Sequence, residues 1–159
     1  MTAKGGDRAL PRTRARLGAV QALYQMELAE TDLSDILAEF GAGALARVDD
    51  EDEAESAEGD FEFFRDLVTG VVREQRSIDP KINDCLAEDW RIDRLDSILR
   101  AILRAGTYEL SNRMDVPVKV VINEYLDVAH AFFDDEEPKF INGVLDRLAR
   151  ELRRAEIVG

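Results

Sequence analysis

A single cysteine, Cys85, and a single histidine, His130, stand among 159 residues. One cysteine excludes an intramolecular disulfide framework and a cysteine-based metal cluster, and it suits a reducing compartment. One histidine excludes a two-histidine metal site, and any histidine-dependent nucleophile would have to use His130. His130 falls near a helix end and Cys85 beside Leu86, so a surface imidazole and an inert structural thiol are expected. No apolar run approaches the roughly 18 residues of a membrane span. The N-terminus lacks the apolar core of a secretory signal, so a cytoplasmic protein without membrane contact is expected. The segment "GAGALA" (41–46) has neither a preceding strand nor the lysine of a phosphate loop. "DDEE" (134–137) lacks the alternation and central glycine of a calcium loop. No catalytic carboxylate pair stands out among the acids. No enzyme, cofactor or metal is expected.

Positive charge is also scarce: 21 Lys and Arg face 34 Asp and Glu, a formal net charge of −13. A chain this acidic does not coat nucleic acid by bulk charge, although a local basic patch survives, since fields are screened beyond about 8–10 Å. The acidity is uneven. "DDEDEAESAEGD" (49–60) holds eight acids and no base, which reads as a solvated loop, assigned here to residues 47–60. Against this background "PRTRARLGAVQALYQMEL" (11–28) concentrates Arg12, Arg14 and Arg16 at the start of a helical pattern.

The rest of the chain is helically patterned, which predicts one all-α domain of about seven helices. Residues 1–11 form a flexible basic arm. From Thr13 the stripe Leu17, Val20, Leu23, Tyr24 and Leu28 reads as inward-facing. A second helix covers 33–40, capped by Thr31 or Asp32. A third covers 61–78 and ends at Asp79-Pro80, where a short helix to about Trp90 begins. The segment 93–110 carries the widest apolar face. Pro117 stands in the first turn of the next helix. Pro138 opens the last, with Ile141, Val144, Leu145, Leu148 and Leu152 on one face.

Two helix surfaces carry unusual residues. Arg14, Gly18, Gln21 and Gln25 fall in one polar line on the first helix, beside a second line of Ala15, Ala19, Ala22 and Met26. The small side chains admit a close neighbour, while Arg14 and the two glutamines supply donors and acceptors; such a face suits RNA, a partner protein or another helix of the same domain. On the last helix Phe140 falls away from the apolar stripe and beside Lys139, Gly143 and Arg147. An aromatic next to bases can stack on unpaired nucleotides, or it can close the edge of the core.

Five blocks, "RARLGAVQALYQ" (14–25), "FRDLVTGV" (64–71), "LRAGTYEL" (103–110), "DVPVKVVINEYLDVA" (115–129) and "KFINGVLD" (139–146), resemble the NusB family of transcription antitermination factors in order and spacing. The acidic segment 49–60 does not belong to that pattern. The resemblance implies two packed helical subdomains and binding of the single-stranded boxA element of ribosomal RNA leader transcripts. It implies partnership with NusE, a ribosomal small-subunit protein, and loading onto RNA polymerase in support of rRNA transcription. It places RNA contacts at Arg12, Arg14 and Arg16, with Gln21 and Tyr24 on the same helix, and at Lys139, Phe140 and Asn142 of the "KF-x-NG" block. "DDEEP" just before Lys139 departs from the pattern and lowers the local potential. Two other readings use the same residues. One is a helical protein scaffold with Ala15, Ala19, Ala22 and Met26 as its interface. The other is the NusB-like module of an rRNA methyltransferase, which would need a further Gly-rich SAM-binding domain that these residues do not supply.

Overall fold

The computed structural model describes the backbone of residues 11–42 and 51–158 and the side chains of residues 12–41 and 61–156. Among these residues the chain forms seven α-helices and no strand, the all-α class expected. They are α1 (Pro11–Ala29), α2 (Leu33–Ala42), α3 (Glu51–Asp84), α4 (Ser97–Asn112), α5 (Val118–His130), α6 (Glu136–Leu152) and α7 (Arg154–Val158), with a 3-10 turn at Ile92–Arg94. The chain divides into two compact units, residues 1–69 and 70–159, and α3 contributes to each.

In the first unit α1 packs on α2. Asp32 caps α2, its carboxylate accepting from the Asp35 N–H at 3.0 Å. An aromatic cluster fills the space beside α1. Phe64 stacks on Phe40 (5.0 Å between centroids) and on Phe61 (5.8 Å). Gly18 lies over the Phe64 ring, where an added Cβ would meet it at 3.5 Å. The buried face of α1 is therefore Ala15, Arg16, Gly18, Ala19, Val20 and Ala22. The expected stripe is corrected. Leu17, Leu23 and Tyr24 are half-buried and Leu28 is 58% exposed. Small residues let the helix axis come close to its neighbours, and close approach favours the glycine and alanines over the leucines.

In the second unit α4, α5 and α6 pack against one another around Ile102, Leu103, Leu110, Tyr125, Ile141, Leu145 and Leu148. Asp96 caps α4, accepting from the N–H groups of Ile98 (2.8 Å) and Leu99 (3.3 Å). Gly106 brings α4 close to α6: a Cβ there would stand 2.9 Å from Leu145. Gly70 admits the Tyr108 ring in the same way. Among the described residues the buried polar side-chain atoms are paired except the Ser111 hydroxyl. The Tyr125 hydroxyl donates to the Glu109 carboxylate at 2.6 Å, both residues fully buried. Arg153 donates to the carbonyls of Leu110, Val116, Glu109 and Arg113 at 2.7–3.1 Å, satisfying the end of α4. The Glu156 carboxylate accepts from the Val118 N–H and from Arg153, and these two bonds hold it below the usual carboxylate range.

Several expected boundaries move. The third helix does not stop at Asp79-Pro80. It continues through Pro80 to Asp84, because Ile78 and Ile82 are both buried across the proline and Asp79 pairs with Arg104 at 2.8 and 2.9 Å. That packing outweighs the hydrogen bond a proline cannot donate. No separate helix spans 80–90; the chain turns, with the Ile92 N–H donating to Asn83 at 2.8 Å. The helix expected from Asp93 starts at Ser97, and α6 starts two residues before Pro138. From Glu51 onward the acidic segment is the beginning of α3 and not a loop. Carboxylates suit a helix N-terminus, where they meet the positive end of the helix dipole. Residues 47–50 of that segment and residues 1–10 of the expected arm lie outside the described residues.

Candidate nucleic-acid interface

In the first unit Arg12, Arg14 and Gln21 of α1 are each exposed, Arg12 on the side of the helix nearly opposite Arg14 and Gln21, and Tyr24 is half-buried. Arg16 sits differently. It is only 2% exposed, with its guanidinium carbon 5.0 Å from the centroid of the Phe63 ring. Arg12 lies over the same ring at 4.5 Å while remaining exposed. Two of the three arginines are thus exposed and the third is buried. Arg16 as a direct phosphate contact is corrected by this burial. Gln25, the end of the polar line, donates to Glu39 of α2 at 3.2 Å. Ala15, Ala19 and Ala22 are fully buried and Met26 half-buried, so the alanine line is used in the chain's own packing. The corresponding partner surface is corrected: three of its four residues have no exposed area.

In the second unit the first turns of α6 expose Lys139, Asn142 and Gly143. A Cβ at Gly143 would meet nothing within 4 Å, so the backbone there is open. Phe140 is half-buried, as its position away from the Ile141–Leu148 stripe requires. It lines a cavity of about 310 Å³ with Trp90, Leu95, Leu99, Glu136 and Glu137. Trp90, 58% exposed, was not singled out by sequence pattern. The available signal was a lone tryptophan in a polar stretch after a helix. The cavity joins two leucines and two aromatic side chains to two carboxylates, which sit favourably in the first turn of α6. Arg147, farther along α6, donates to the Cys85 carbonyl at 2.9 Å and ties the end of α3 down.

The expectations for reactive groups hold in their structural form. Cys85 is buried, and burial pushes its thiol up, away from thiolate chemistry. His130 is exposed at the end of α5. Among the described residues no group of three or more His, Cys, Asp or Glu side chains could hold a metal ion. Each unit exposes polar and basic helix side chains, Arg12 and Arg14 in one and Lys139 and Asn142 beside the half-buried Phe140 in the other. Such groups contact phosphates and base faces.

A family model described as the NusB family matches residues 13–150. The transcription antitermination protein NusB of Rhizobium rhizogenes is 52% identical over 142 residues, covering 89% of this chain and 88% of that one. The solved structure of NusB from T. maritima superposes with a TM-score of 0.71 at 32% identity, over 93% of this chain and 97% of that one. A solved complex of antitermination factors NusB and NusE with double-stranded RNA superposes with a TM-score of 0.70 at 27% identity. That match covers 89% of this chain and 97% of the matched chain.

Proposed function

The chain belongs to the NusB family, and from that premise we propose that it is a transcription antitermination factor binding the boxA element of ribosomal RNA leader transcripts. It does so together with NusE, within an antitermination complex on RNA polymerase, and its role is binding and not catalysis. The observation that carries this reading is the exposed, non-catalytic set of RNA-compatible groups on two helices whose solved relative holds RNA and NusE. Arg12 and Arg14 contact phosphates. Phe140 stacks on a base, with Lys139 and Asn142 beside it. Gln21 and Tyr24 line the α1 side. No described helix is long and apolar enough to cross a membrane, in keeping with a cytoplasmic complex.

The body of the protein remains acidic, which disfavours non-specific RNA and leaves affinity to these local groups. Titration with a short single-stranded boxA RNA, with a scrambled strand and with a duplex, each with and without NusE, tests the reading. Preference for the single-stranded boxA sequence, strengthened by NusE, is expected. Arg12→Glu with Arg14→Glu abolishes binding, and replacing both by Ala makes the log–log salt slope shallower by about 1.4, at roughly 0.7 per phosphate. Phe140→Ala loses about 1–3 kcal/mol of binding and keeps the fold. Equal affinity for boxA and scrambled RNA refutes the proposal.

A further inference from the structure

We propose that the cavity beside Trp90 receives an arginine side chain of the protein partner. This rests on the reading that NusE is that partner. The cavity, about 310 Å³, lies wholly within the second unit. Leu95 and Leu99 give it an apolar lining, Trp90 and Phe140 add aromatic rings, and Glu136 and Glu137 add carboxylates. Trp90 stands on an ordered turn. Its N–H donates to the Ala87 carbonyl at 2.8 Å, the Ile92 N–H donates to Asn83 at 2.8 Å, and the Leu95 N–H donates to the Ile92 carbonyl at 3.1 Å. The ring is nonetheless 58% exposed, a large apolar surface left beside a preformed cavity. Glu136 is exposed and Glu137 half-buried, directly after Asp134 and Asp135, so the rim of the cavity is strongly acidic. Among the described residues no Lys or Arg of this chain pairs with either glutamate.

That rim selects the occupant. It repels phosphates, so it disfavours a nucleotide, and it attracts a cation. A guanidinium matches every wall at once. Its planar face stacks on an indole, its forked N–H donors meet carboxylates, and its methylene stem lies along leucines. A lysine ammonium is a compact, strongly hydrated charge and suits a flat aromatic slot less well. Phe140 belongs both to this cavity and to the group formed with Lys139 and Asn142, so the partner's arginine adjoins the RNA site. Its charge offsets the carboxylates there, which gives the partner a route to strengthen RNA binding.

The full chain is titrated with NusE by calorimetry without RNA, and a urea melt checks that each variant is folded. Glu136→Gln with Glu137→Gln weakens NusE binding by about tenfold, as expected for a partly desolvated charge pair. Trp90→Ala weakens it by about two- to thirtyfold, the range of a cation over an indole, and Trp90→Phe keeps most of the affinity. Asp134→Asn with Asp135→Asn removes the same charge outside the cavity and costs less than about threefold. Trp90 is the only tryptophan of the chain, so its fluorescence reports the cavity directly. N-acetyl-arginine amide shifts this emission saturably, and the neutral citrulline amide does not. Parent-like NusE affinity in the folded Glu136→Gln, Glu137→Gln protein overturns the arginine slot alone, as do equal losses in the two double variants or equal responses to the two amides. Failure of the parent to bind NusE overturns the partner reading itself, and the occupant proposed here with it. A Trp90 shift caused by boxA RNA alone, lost together with RNA affinity in the Glu136→Gln, Glu137→Gln protein, assigns the cavity to a base and overturns the proposal.

Discussion

Helices α1 and α6 each carry an apolar stripe in sequence, behind a basic start in α1 and an acidic first turn in α6, yet they bury opposite kinds of residue. On α6 the stripe is the core: Ile141, Val144, Leu145 and Leu148 are all buried. On α1 the large apolar residues lie half in solvent, and Ala15, Gly18, Ala19 and Ala22 are buried with Val20. The difference lies in which partner supplies the gap. Leu145 of α6 presses onto Gly106 of α4, so the small residue belongs to the neighbour. In the first unit the small residue, Gly18, belongs to α1, and the bulk comes from Phe64 stacked on Phe40. Periodicity records how apolar a face is. It does not record how near the next element stands.

Each helix also engages a buried arginine, and here too the two differ. Arg153, just past α6, spends its donors on four backbone carbonyls. Arg16 lies over a ring. The largest effect expected is from Arg153→Ala. At about 1 kcal/mol per hydrogen bond, losing four carbonyl partners costs about 4 kcal/mol, read as a shifted midpoint in a urea melt. A loss below about 1 kcal/mol would mean water replaces the side chain without penalty, and that the end of α6 is held by apolar packing alone.

Much of the fold was legible. The all-α class, the Asp32 cap, the helix after Pro117 and the inward face of α6 follow from spacing and turn chemistry. What was not legible has a common physical cause. Pro80 is carried inside α3 by the burial of Ile78 and Ile82 and by an ion pair to Arg104, 25 residues away in sequence. Arg16 reads as a surface base because its partner Phe63 is remote. Trp90 acquires its meaning only beside Phe140. Arg14 and Lys139 lie off the apolar stripes by their own spacing, and both are exposed. Long-range partners decide the others.

A matched pair of substitutions tests the contrast between the helices at intermediate size. Leu145→Ala empties a fully buried site and should cost about 2–5 kcal/mol. Ala19→Leu does the reverse in α1, forcing extra carbons into a site with no exposed area, and should cost about 1–3 kcal/mol. Urea melts of both variants compare them directly. If Ala19→Leu is neutral or stabilising, the small-residue face is not close-packed, and the two helices are alike after all.

The smallest expected effect is also the most discriminating. Leu28 closes the apolar stripe of α1, and if that stripe were core like the α6 stripe, Leu28→Glu would bury a charge and unfold the domain. At 58% exposure, the residue gives up little area to packing, and surface substitutions away from special features usually stay within about 0.5 kcal/mol. Helix propensity does not intervene, since Leu and Glu are both good helix formers. One term works slightly against the substitution. A carboxylate one residue from the end of α1 meets the negative end of the helix dipole, which costs about 0.3–1 kcal/mol at low salt and is screened as salt rises. The Leu28→Glu melt should therefore lie slightly below the parent at low ionic strength and approach it at high ionic strength. A salt-independent loss above about 2 kcal/mol would show that Leu28 is covered in solution, and that α1 buries its stripe as α6 does.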